Sequence, residues 1–513
     1  MEGTPVQITA KGIFDGKNFS AGGCVHITGT TIAKVEGGGK GADLLMPGLI
    51  DSHVHLLGTG LALQALDLNQ CRSKADFART LQEYAQTYQG QWLTGRGWDQ
   101  NKLGFTPDRY FLDAICPQRP VVLTRICGHV VVANSRALEL AGIDRNRGHV
   151  PGGVVRRDDS GQPTGILEEK AAFLIVKAVP DPEPALLYTA LEKAIKYAHS
   201  CGLTGVQTDD RGTVAEYHQL WELYCQVTQS HPLRCQLHYQ IDSVVALQEY
   251  IRTRRDLRAT KFICPGAAKL LLDGSLGART AALRDDYYDD PGNKGVLIYP
   301  DSVVRDILTV AEANGVQIAL HAIGDAAIEQ ALRVLAAVRG GYGQGAIRQR
   351  LVHCQVTNPD QIKRMVALGI AAEIQPGFLQ TDRHWAGARL GGKRLQNSYC
   401  WRTMAAAGLF LSGGSDAPVE DLNPWQGIGT GVRRTDSAGN PIRGWDRDER
   451  LDLEKALEIY TSGAAELAGW NRLGRVQAGM LADLAVYNYF DEKNPAQNKP
   501  SQVIIDGTIV YEE

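Results

Sequence analysis

The sequence predicts an α/β fold with three parts: a (β/α)8 TIM barrel, a small β-sandwich domain built from both chain termini, and a large insertion after the first barrel strand. Short apolar runs recur along the 513 residues, each bounded by Gly, Pro, Asn or Asp and followed by a helical pattern. Repeating βα units of this kind form a parallel sheet. Apolar and polar residues alternate with period two at both ends of the chain, which predicts additional antiparallel strands there.

The two terminal segments are predicted to form one composite domain. Residues 1–46 alternate in VQITAKGIF and CVHITGTTIAKVE, and residues 473–513 alternate in ADLAVYNYF and QVIIDGTIVYEE. The Asp-Gly pair in the last stretch is typical of a tight turn between two strands. Because these segments flank a βα array, they most simply form a single small sandwich. The intervening stretch EGGGKGAD lacks the spacing of a phosphate-binding loop and is interpreted as a linker.

Residues 47–472 are predicted to form the barrel. Its first strand is expected in LLMPGLIDSHVHL and its second in GLTGVQTDD. Because a barrel needs about 250 residues, the excess between these strands, at about 60–200, is an insertion at the catalytic face. The helical stretch KADFARTLQEYAQTYQ predicts that this insertion is a folded cap. The remaining strands are expected in LRCQLHYQ, GAAKLLLDG, NGVQIALHA, RQRLVHCQV, GIAAEIQPG and AAGLFLSGG.

Potential metal ligands stand at the ends of several predicted strands. His53 and His55 are two residues apart, so in a strand their side chains project from the same side and can bind one metal ion. An isolated H-x-H is equally compatible with two polar strand residues. However, the later strands end on further residues of this kind, namely Lys269, His321, His353 and Asp416. Because a barrel draws its reacting groups from the C-terminal ends of different strands, we expect all six side chains to converge on one pocket.

The chain also carries a series of family motifs. From near residue 46 to near residue 487 they are PGLIDSHVHL, GRGWDQ, GHVVVANSRAL, GILEE, KLLLDGSLGARTAAL, HAIGDAAIE, RLVHCQV, IQPGF, GGSDAPV, YTSGAAELAG and GRVQAGMLADLAVY. With these motifs the chain resembles the amidohydrolase superfamily and, within it, the YtcJ-like or amidohydrolase-3 group. The resemblance implies a metal-dependent hydrolase barrel with the same composite terminal domain.

The predicted ligands divide between two cation sites. His53 and His55 would hold one divalent cation, and His321 and His353 a second. Imidazole suits zinc, and less selectively iron, nickel and manganese, so zinc is preferred and the number of ions, one or two, is left open. The resemblance implies that Lys269 carries CO₂ as an N6-carbamate bridging both ions. The alternatives are a salt bridge from Lys269 to Asp273 or another carboxylate, and a single metal with Lys269 unmodified.

Asp416 is predicted to be both a weak ligand and the general base. A metal brings the pKa of bound water toward neutrality, and the resulting hydroxide would attack the substrate carbon. Asp416 would take the proton and pass it to the leaving nitrogen. The predicted reaction is therefore hydrolysis of a non-peptide C–N bond in an amide, formamide, N-acyl compound or cyclic amide. The alternatives are an ester, lactone or phosphoester substrate, a deaminase, and a non-catalytic amidohydrolase-like protein.

Five further residues are candidate substrate contacts, although a structural role explains each equally well. Trp98, Asp99 and His129 lie in the insertion and match family stretches. Arg279 follows the fourth predicted strand and is suited to hold a carboxylate or carbonyl. His384 lies in the segment after the seventh strand. Because specificity in barrels depends on variable loops, the identity of the substrate is not predicted.

Composition points to an ordinary globular enzyme. The chain is 44% hydrophobic and 22% charged with a formal net charge of −3. It lacks the basic clustering of proteins that bind nucleic acid or membrane surfaces, and it shows neither a secretory signal nor a transmembrane run. The 10 cysteines are scattered without a C-x-x-C pair, as in reduced cytoplasmic proteins. We expect a cytoplasmic enzyme with a small-molecule substrate and leave a homodimer open.

Overall fold

The computed structural model describes residues 6–125, 130–148, 150, 153–214, 216–341, 343–436, 438–441 and 445–513. In these residues the strands are numbered β1 to β21 and the α-helices α1 to α18 in chain order. The chain forms two compact units: Met1–Thr59 together with Ala194–Glu513, and Gly60–Lys193.

The first unit contains a barrel sheet of eight parallel strands that neighbour one another in chain order. Its strands are β5 (Leu49–Val54), β12 (Leu203–Thr208), β13 (Arg234–Gln240), β14 (Ile263–Leu271), β15 (Ile318–Ala322), β16 (Arg350–His353), β17 (Ala371–Ile374) and β18 (Phe410–Gly413). The first and last strands meet where Ser52 Oγ donates to the carbonyl of Gly413 at 2.9 Å. The prediction of a (β/α)8 barrel is confirmed, and each strand falls in its expected apolar run except β14, which begins three residues before its run, at Ile263.

Helices follow the barrel strands in sequence. They are α8 (Tyr217–Ser230), α9 (Val244–Asp256), α10 (Asp301–Ala313), α11 (Asp325–Arg339), α12 (Pro359–Ala367), α13 (Leu379–Asp382), α14 (Ala386–Leu395), α15 (Trp401–Ala406), α16 (Pro424–Arg433), α17 (Leu453–Glu458) and α18 (Ser462–Leu467). The start of α12 is set by a capping box in which Asn358 and Gln361 satisfy each other's backbone N–H groups. In the described parts of the chain, no helix combines the length and the apolar character needed to cross a membrane.

Both chain ends contribute to one seven-stranded sheet in the same unit, in the order β21-β20-β19-β4-β1-β2-β3. Its strands are β1 (Val6–Phe14), β2 (Phe19–Thr28), β3 (Thr31–Gly37), β4 (Ala42–Pro47), β19 (Leu484–Tyr487), β20 (Gln502–Ile505) and β21 (Thr508–Glu512). Side chains from both ends share one apolar cluster, in which Val25 packs with Leu45, Leu484 and Ile504. The run expected to open the barrel is thus divided, since Met46 and Pro47 belong to β4 and the first barrel strand begins at Leu49.

The unit Gly60–Lys193 has its own six-stranded sheet, in the order β10-β11-β9-β8-β7-β6. Its strands are β6 (Leu66–Asp67), β7 (Leu93–Trp98), β8 (Val121–Arg125), β9 (Val130–Ala133), β10 (Gly153–Arg157) and β11 (Pro163–Glu169). Its helices are α2 (Lys74–Thr87), α3 (Gln100–Leu103), α4 (Arg109–Ile115), α5 (Ser135–Leu140) and α6 (Lys170–Val176). The boundaries of the unit in the sequence fall within α1 (Leu56–Gln64) and α7 (Pro184–Ser200). Phe77 and Leu81 of α2 are fully buried in this unit's core, so the segment is folded.

Candidate metal centre

Three of the predicted ligands meet where the first and last barrel strands close. Ligand atoms of His53, His55 and Asp416 all lie within 4.8 Å of one another. Oδ1 of Asp416 is 3.3 Å from Nε2 of His53 and 3.1 Å from Nε2 of His55. The backbone N–H of Asp416 donates to the carbonyl of His53 at 2.7 Å. Closure of the barrel therefore brings together residues from opposite ends of the sequence.

Lys269 reaches the same group from β14. Its Nζ lies 2.8 Å from Nε2 of His53, and only 2% of the residue is exposed. Lys269 is in register with Gln240 on one neighbouring strand and with Ala319 on the other. Because paired residues of a parallel sheet face the same side, this register accounts for the direction of its side chain.

His321 and His353 lie beside this group on β15 and β16. Their ring centroids are 4.6 Å apart, and the ring of His353 is 5.5 Å from that of His53. Nδ1 of His321 is 3.0 Å from Oδ1 of Asp273. Asp273, the alternative salt-bridge partner for Lys269, also accepts backbone N–H groups from Ala282, Ile323 and Gly324. In this structure Asp273 therefore orients His321.

Two of the ligand candidates have unusual backbone conformations. Val352, which is in register with Glu373, belongs to a small barrel cluster with Ala267 and Ala319. Strict alternation would direct the next side chain, His353, to the other face. However, His353 has φ of +79°, and Asp416 has φ of +57°. Left-handed conformations are uncommon for residues other than glycine, and such strain is concentrated at functional sites. Here they accompany the inward direction of these two side chains.

All four histidines have an oxygen acceptor close to Nδ1. Such a partner favours a proton on Nδ1 and leaves Nε2 to bind a metal. The pairs are His53 with Glu373 Oε1 (2.9 Å), His55 with the carbonyl of Asp209, His321 with Asp273 Oδ1 (3.0 Å) and His353 with Gln375 Oε1 (2.8 Å). Four imidazole lone pairs at one end of a barrel form a donor set that suits a divalent cation such as zinc.

Asp416 supports the fit of a cation at this place. Its Oδ1 is buried and lacks a hydrogen-bond partner among the described residues. Burial opposes the ionisation of Asp416, but the neighbouring histidines outweigh burial and hold its pKa well below the usual range. Burial likewise opposes protonation of His55, yet Asp416 raises the pKa of His55 to about 9, so a cation bound at Nε2 would take the place of a proton. An ionised carboxylate between two imidazoles attracts positive charge to this point, so the residues present fit a divalent cation.

Sequence reasoning missed the residues that hold the histidines. Glu373 and Gln375 are two positions apart on and just after β17, and they contact His53 and His353 respectively. Asp51 accepts the backbone N–H of His53 at 2.9 Å, and burial raises the pKa of Asp51 to about 7. One signal was visible: Glu373 is a charged residue inside a four-residue strand that is otherwise apolar and wholly buried.

Two of the substrate-contact candidates belong to the barrel unit. Arg279 is bound to Asp289, with Nε to Oδ1 at 3.1 Å and Nη2 to Oδ2 at 2.9 Å. Its side chain is 33% exposed, so this ion pair leaves part of the guanidinium open to solvent. His384 is exposed between α13 and α14. A role in substrate binding stays a prediction for both residues.

The other three candidates belong to the inserted segment. Trp98 is 1% exposed in the core of that unit, where its indole N–H donates to the carbonyl of Leu123 at 2.9 Å. Asp99 caps α3 by accepting the backbone N–H of Asn101 at 3.0 Å. These contacts give both residues a structural role, and a substrate contact stays a prediction. His129 lies outside the described residues.

The comparisons with known proteins extend over most of the chain. A model of the Amidohydrolase family matches residues 42–511. The YtcJ protein of Bacillus subtilis (strain 168) is 34% identical over 92% of this chain and 89% of its own length. The N-substituted formamide deformylase of Arthrobacter pascens is 27% identical over 96% of this chain and 94% of its own length. The crystal structure of an uncharacterized metal-dependent hydrolase from Pyrococcus furiosus superposes with a TM-score of 0.74 at 25% identity, covering 95% of this chain and 100% of that one. This chain therefore belongs to the amidohydrolase family, in its YtcJ-like amidohydrolase-3 group.

Proposed function

We propose that this protein is a metal-dependent amidohydrolase that cleaves a non-peptide C–N bond in an amide, formamide, N-acyl compound or cyclic amide. The observation that carries the proposal is the meeting of His53, His55 and Asp416 at the closure of the barrel, with donor atoms within 4.8 Å of one another. Membership of the amidohydrolase family supports the class of reaction.

Six residues would hold one or two cations, with zinc preferred for imidazole ligands. His53, His55, Asp416 and Lys269 would hold the first, and Lys269 with His321 and His353 the second. A divalent cation bound there would polarise a substrate carbonyl and lower the pKa of water. His53 and His55 would offer Nε2 to the cation, because their Nδ1 atoms face Glu373 and the carbonyl of Asp209.

Charge favours a carbamate at Lys269. An ammonium group 2.8 Å from Nε2 of His53 would repel a cation bound to that nitrogen. Addition of CO₂ to the amine, with release of the two protons of the ammonium form, replaces a positive charge with a negative one, a change of two units that offsets one divalent cation. The carbamate also supplies two oxygen ligands, whereas an ammonium group supplies none.

Asp416 would move the proton. Water adds to the carbonyl carbon as the C–N bond breaks, giving a carboxylic acid and an amine. Asp416 accepts a proton from the attacking water at a carboxylate oxygen and returns it to the leaving nitrogen, since an amide anion is too basic to depart unprotonated. The low pKa of Asp416 keeps the carboxylate ready to accept that proton.

The substrate is proposed to be a small molecule. One relative that covers 96% of this chain is an N-substituted formamide deformylase, so N-substituted formamides are the first compounds to test. We propose Arg279 and His384 from the barrel unit, and Trp98, Asp99 and His129 from the inserted segment, as substrate contacts.

The described cysteines are all free thiols, which supports the proposed cytoplasmic location.

The test is metal analysis joined to a substrate screen. Protein purified without chelator is expected to hold one to two divalent ions per chain and to hydrolyse members of a panel of N-formyl, N-acyl and cyclic amides. Removal of metal by chelator should abolish turnover, and added zinc should restore it. His55→Asn should lose metal and activity, whereas His26→Asn, a histidine variant in the terminal sheet, should retain both.

Two results would overturn the proposal. Full activity without bound transition metal would remove the metal-dependent mechanism altogether. Turnover confined to esters, lactones, phosphoesters or amino-substituted rings, each included in the panel, would keep the metal site but assign it a different reaction.

A further inference from the structure

Beneath the proposed metal site, Glu373 lies between a ligand and a buried arginine. Oε1 of Glu373 is 2.9 Å from Nδ1 of His53, and Oε2 is 2.7 Å from Nη1 of Arg350. Neither Glu373 nor Arg350 has any exposed surface, and His53 is 1% exposed. The three residues therefore form a chain of contacts, from a cation through a carboxylate to an imidazole, inside the barrel.

The outer end of this chain is held by neutral partners. Nη1 of Arg350 donates to Oε1 of Gln207 at 2.7 Å, and Nε donates to Oε1 of Gln317 at 3.0 Å. Glu373 supplies the negative charge next to Arg350, and Arg350 in turn compensates the charge of Glu373. Arg350 therefore binds one oxygen of Glu373, and the other oxygen of Glu373 is left facing His53.

The pair is poorly explained as a device for stability. Taking two charges out of water is costly, and replacing a buried ion pair by apolar residues of similar volume is often neutral or stabilising. The Glu373–Arg350 pair differs from an isolated ion pair because one carboxylate oxygen faces a ring nitrogen. The contact between Oε1 and His53 has the distance of a hydrogen bond without its alignment, and no described residue makes an aligned hydrogen bond to Oε1.

We propose that Arg350 and Glu373 are positioning residues for the first metal site: Arg350 fixes Glu373 through Oε2, and Oε1 of Glu373 holds His53 with its proton on Nδ1. The lone pair of His53 is then fixed on Nε2, the atom that faces Lys269 and Asp416. A carboxylate behind a ligating imidazole also increases the basicity of the ligand, and removal of such a partner typically costs about 10- to 100-fold in metal affinity. This inference rests on the proposed function only in taking His53 as a ligand.

The first experiment compares metal affinities of three double variants by competition with a chromophoric chelator. Glu373→Leu/Arg350→Met removes both charges and the acceptor, and it should bind zinc about 10- to 100-fold more weakly than the wild type. Glu373→Gln/Arg350→Gln retains an acceptor for Nδ1 of His53. Its zinc affinity should lie between those of the wild type and of the Glu373→Leu/Arg350→Met variant. Arg234→Met/Asp483→Leu is the matched control, because it removes a buried bidentate pair (2.8 and 3.0 Å) that contacts no proposed ligand.

The second experiment reads the tautomer of His53 directly, in ¹⁵N-histidine-labelled protein stripped of metal, with His53→Asn to assign the signals. Wild type and the Gln/Gln variant should show the proton on Nδ1, and the Leu/Met variant should show a mixture or the other tautomer. An unchanged tautomer together with zinc affinity within about twofold of the wild type would overturn the inference. A wild type that binds no metal would instead remove the proposed function, and the tautomer measurement would still decide the role of Glu373.

Discussion

Oδ1 of Asp416 lies 3.1 Å from Nε2 of His55, although His55 follows the first strand of the barrel and Asp416 follows the last. Backbone hydrogen bonds hold the two segments together here, since the N–H of His55 donates to the carbonyl of Ala417 at 2.8 Å. The backbone position of Asp416 is therefore set by closure of the sheet. Substitution of its side chain can separate metal binding from proton transfer.

Asp416→Asn is predicted to lower kcat by about 10²–10⁴-fold, because it removes the proton acceptor while keeping the size of the side chain. Metal content should fall little, since four histidines and Lys269 are retained. The loss should appear in kcat more than in KM, because only the transition state uses the proton transfer. Steady-state kinetics and metal analysis of the same preparation measure both quantities. A kcat near that of the wild type would show that another residue is the base, with His384 the next candidate. Loss of metal would show that Asp416 is chiefly a ligand.

Lys269→Ala is predicted to lose the second metal, with partial rescue by small carboxylates that imitate a carbamate. Wild-type protein supplied with ¹³C-bicarbonate should show a carbamate signal, and the variant should lack it. Lys11→Ala is a suitable control, because that lysine pairs with Asp43 in the terminal sheet and is 65% exposed. A Lys269→Ala protein that keeps two metals and normal turnover would exclude the bridging role.

The sequence was a good guide to the strands and a poor guide to the residues behind the ligands. In IALHA and RLVH apolar residues lead directly to a histidine, so strand and candidate ligand could be located together. Glu373 does not stand at the end of its strand. Its contacts with His53 and Arg350 depend on how β5 and β16 lie around the barrel. Likewise, Asp273 was considered as a partner of Lys269, whereas a short turn after β14 brings it to His321. Contacts of this kind follow from sheet register and backbone turns, which single-sequence patterns do not specify.

Gly414→Ala is predicted to weaken metal binding without touching a ligand. A Cβ at this position would lie 2.7 Å from the backbone nitrogen of His53 and 2.8 Å from its Cβ, so the two segments must shift apart. Overpacking of this kind costs typically about 1–3 kcal/mol of stability, and displacement of His53 should lower zinc affinity. Gly392→Ala is the matched control, because a Cβ there meets nothing within 4 Å. Equal zinc affinities and unfolding free energies for the two variants would show that the closure between β5 and β18 is more adaptable than the distances imply.

Asp382 is predicted to make the protein less stable as pH rises toward 7. The residue is 7% exposed, its carboxylate accepts hydrogen bonds from Tyr399 (2.8 Å) and Gln355 (3.0 Å), and burial raises its pKa to about 7. Between the unfolded pKa of about 3.9 and this value, the folded state keeps a proton that the unfolded state releases. The free energy of unfolding therefore falls with rising pH across that range, by up to about 1.4 kcal/mol per unit from this group, and levels off above pH 7.

Asp382→Asn removes this titration, so its unfolding free energy should fall less steeply than that of the wild type between about pH 4 and 7. Urea titrations at intervals of half a pH unit measure the difference between the two curves. Asp360→Asn, at a position where the side chain is 73% exposed, should leave the curve parallel to that of the wild type. Parallel curves for Asp382→Asn as well would mean that Asp382 has the same pKa in the folded and unfolded states. In that case its two hydrogen-bond donors would offset the effect of burial.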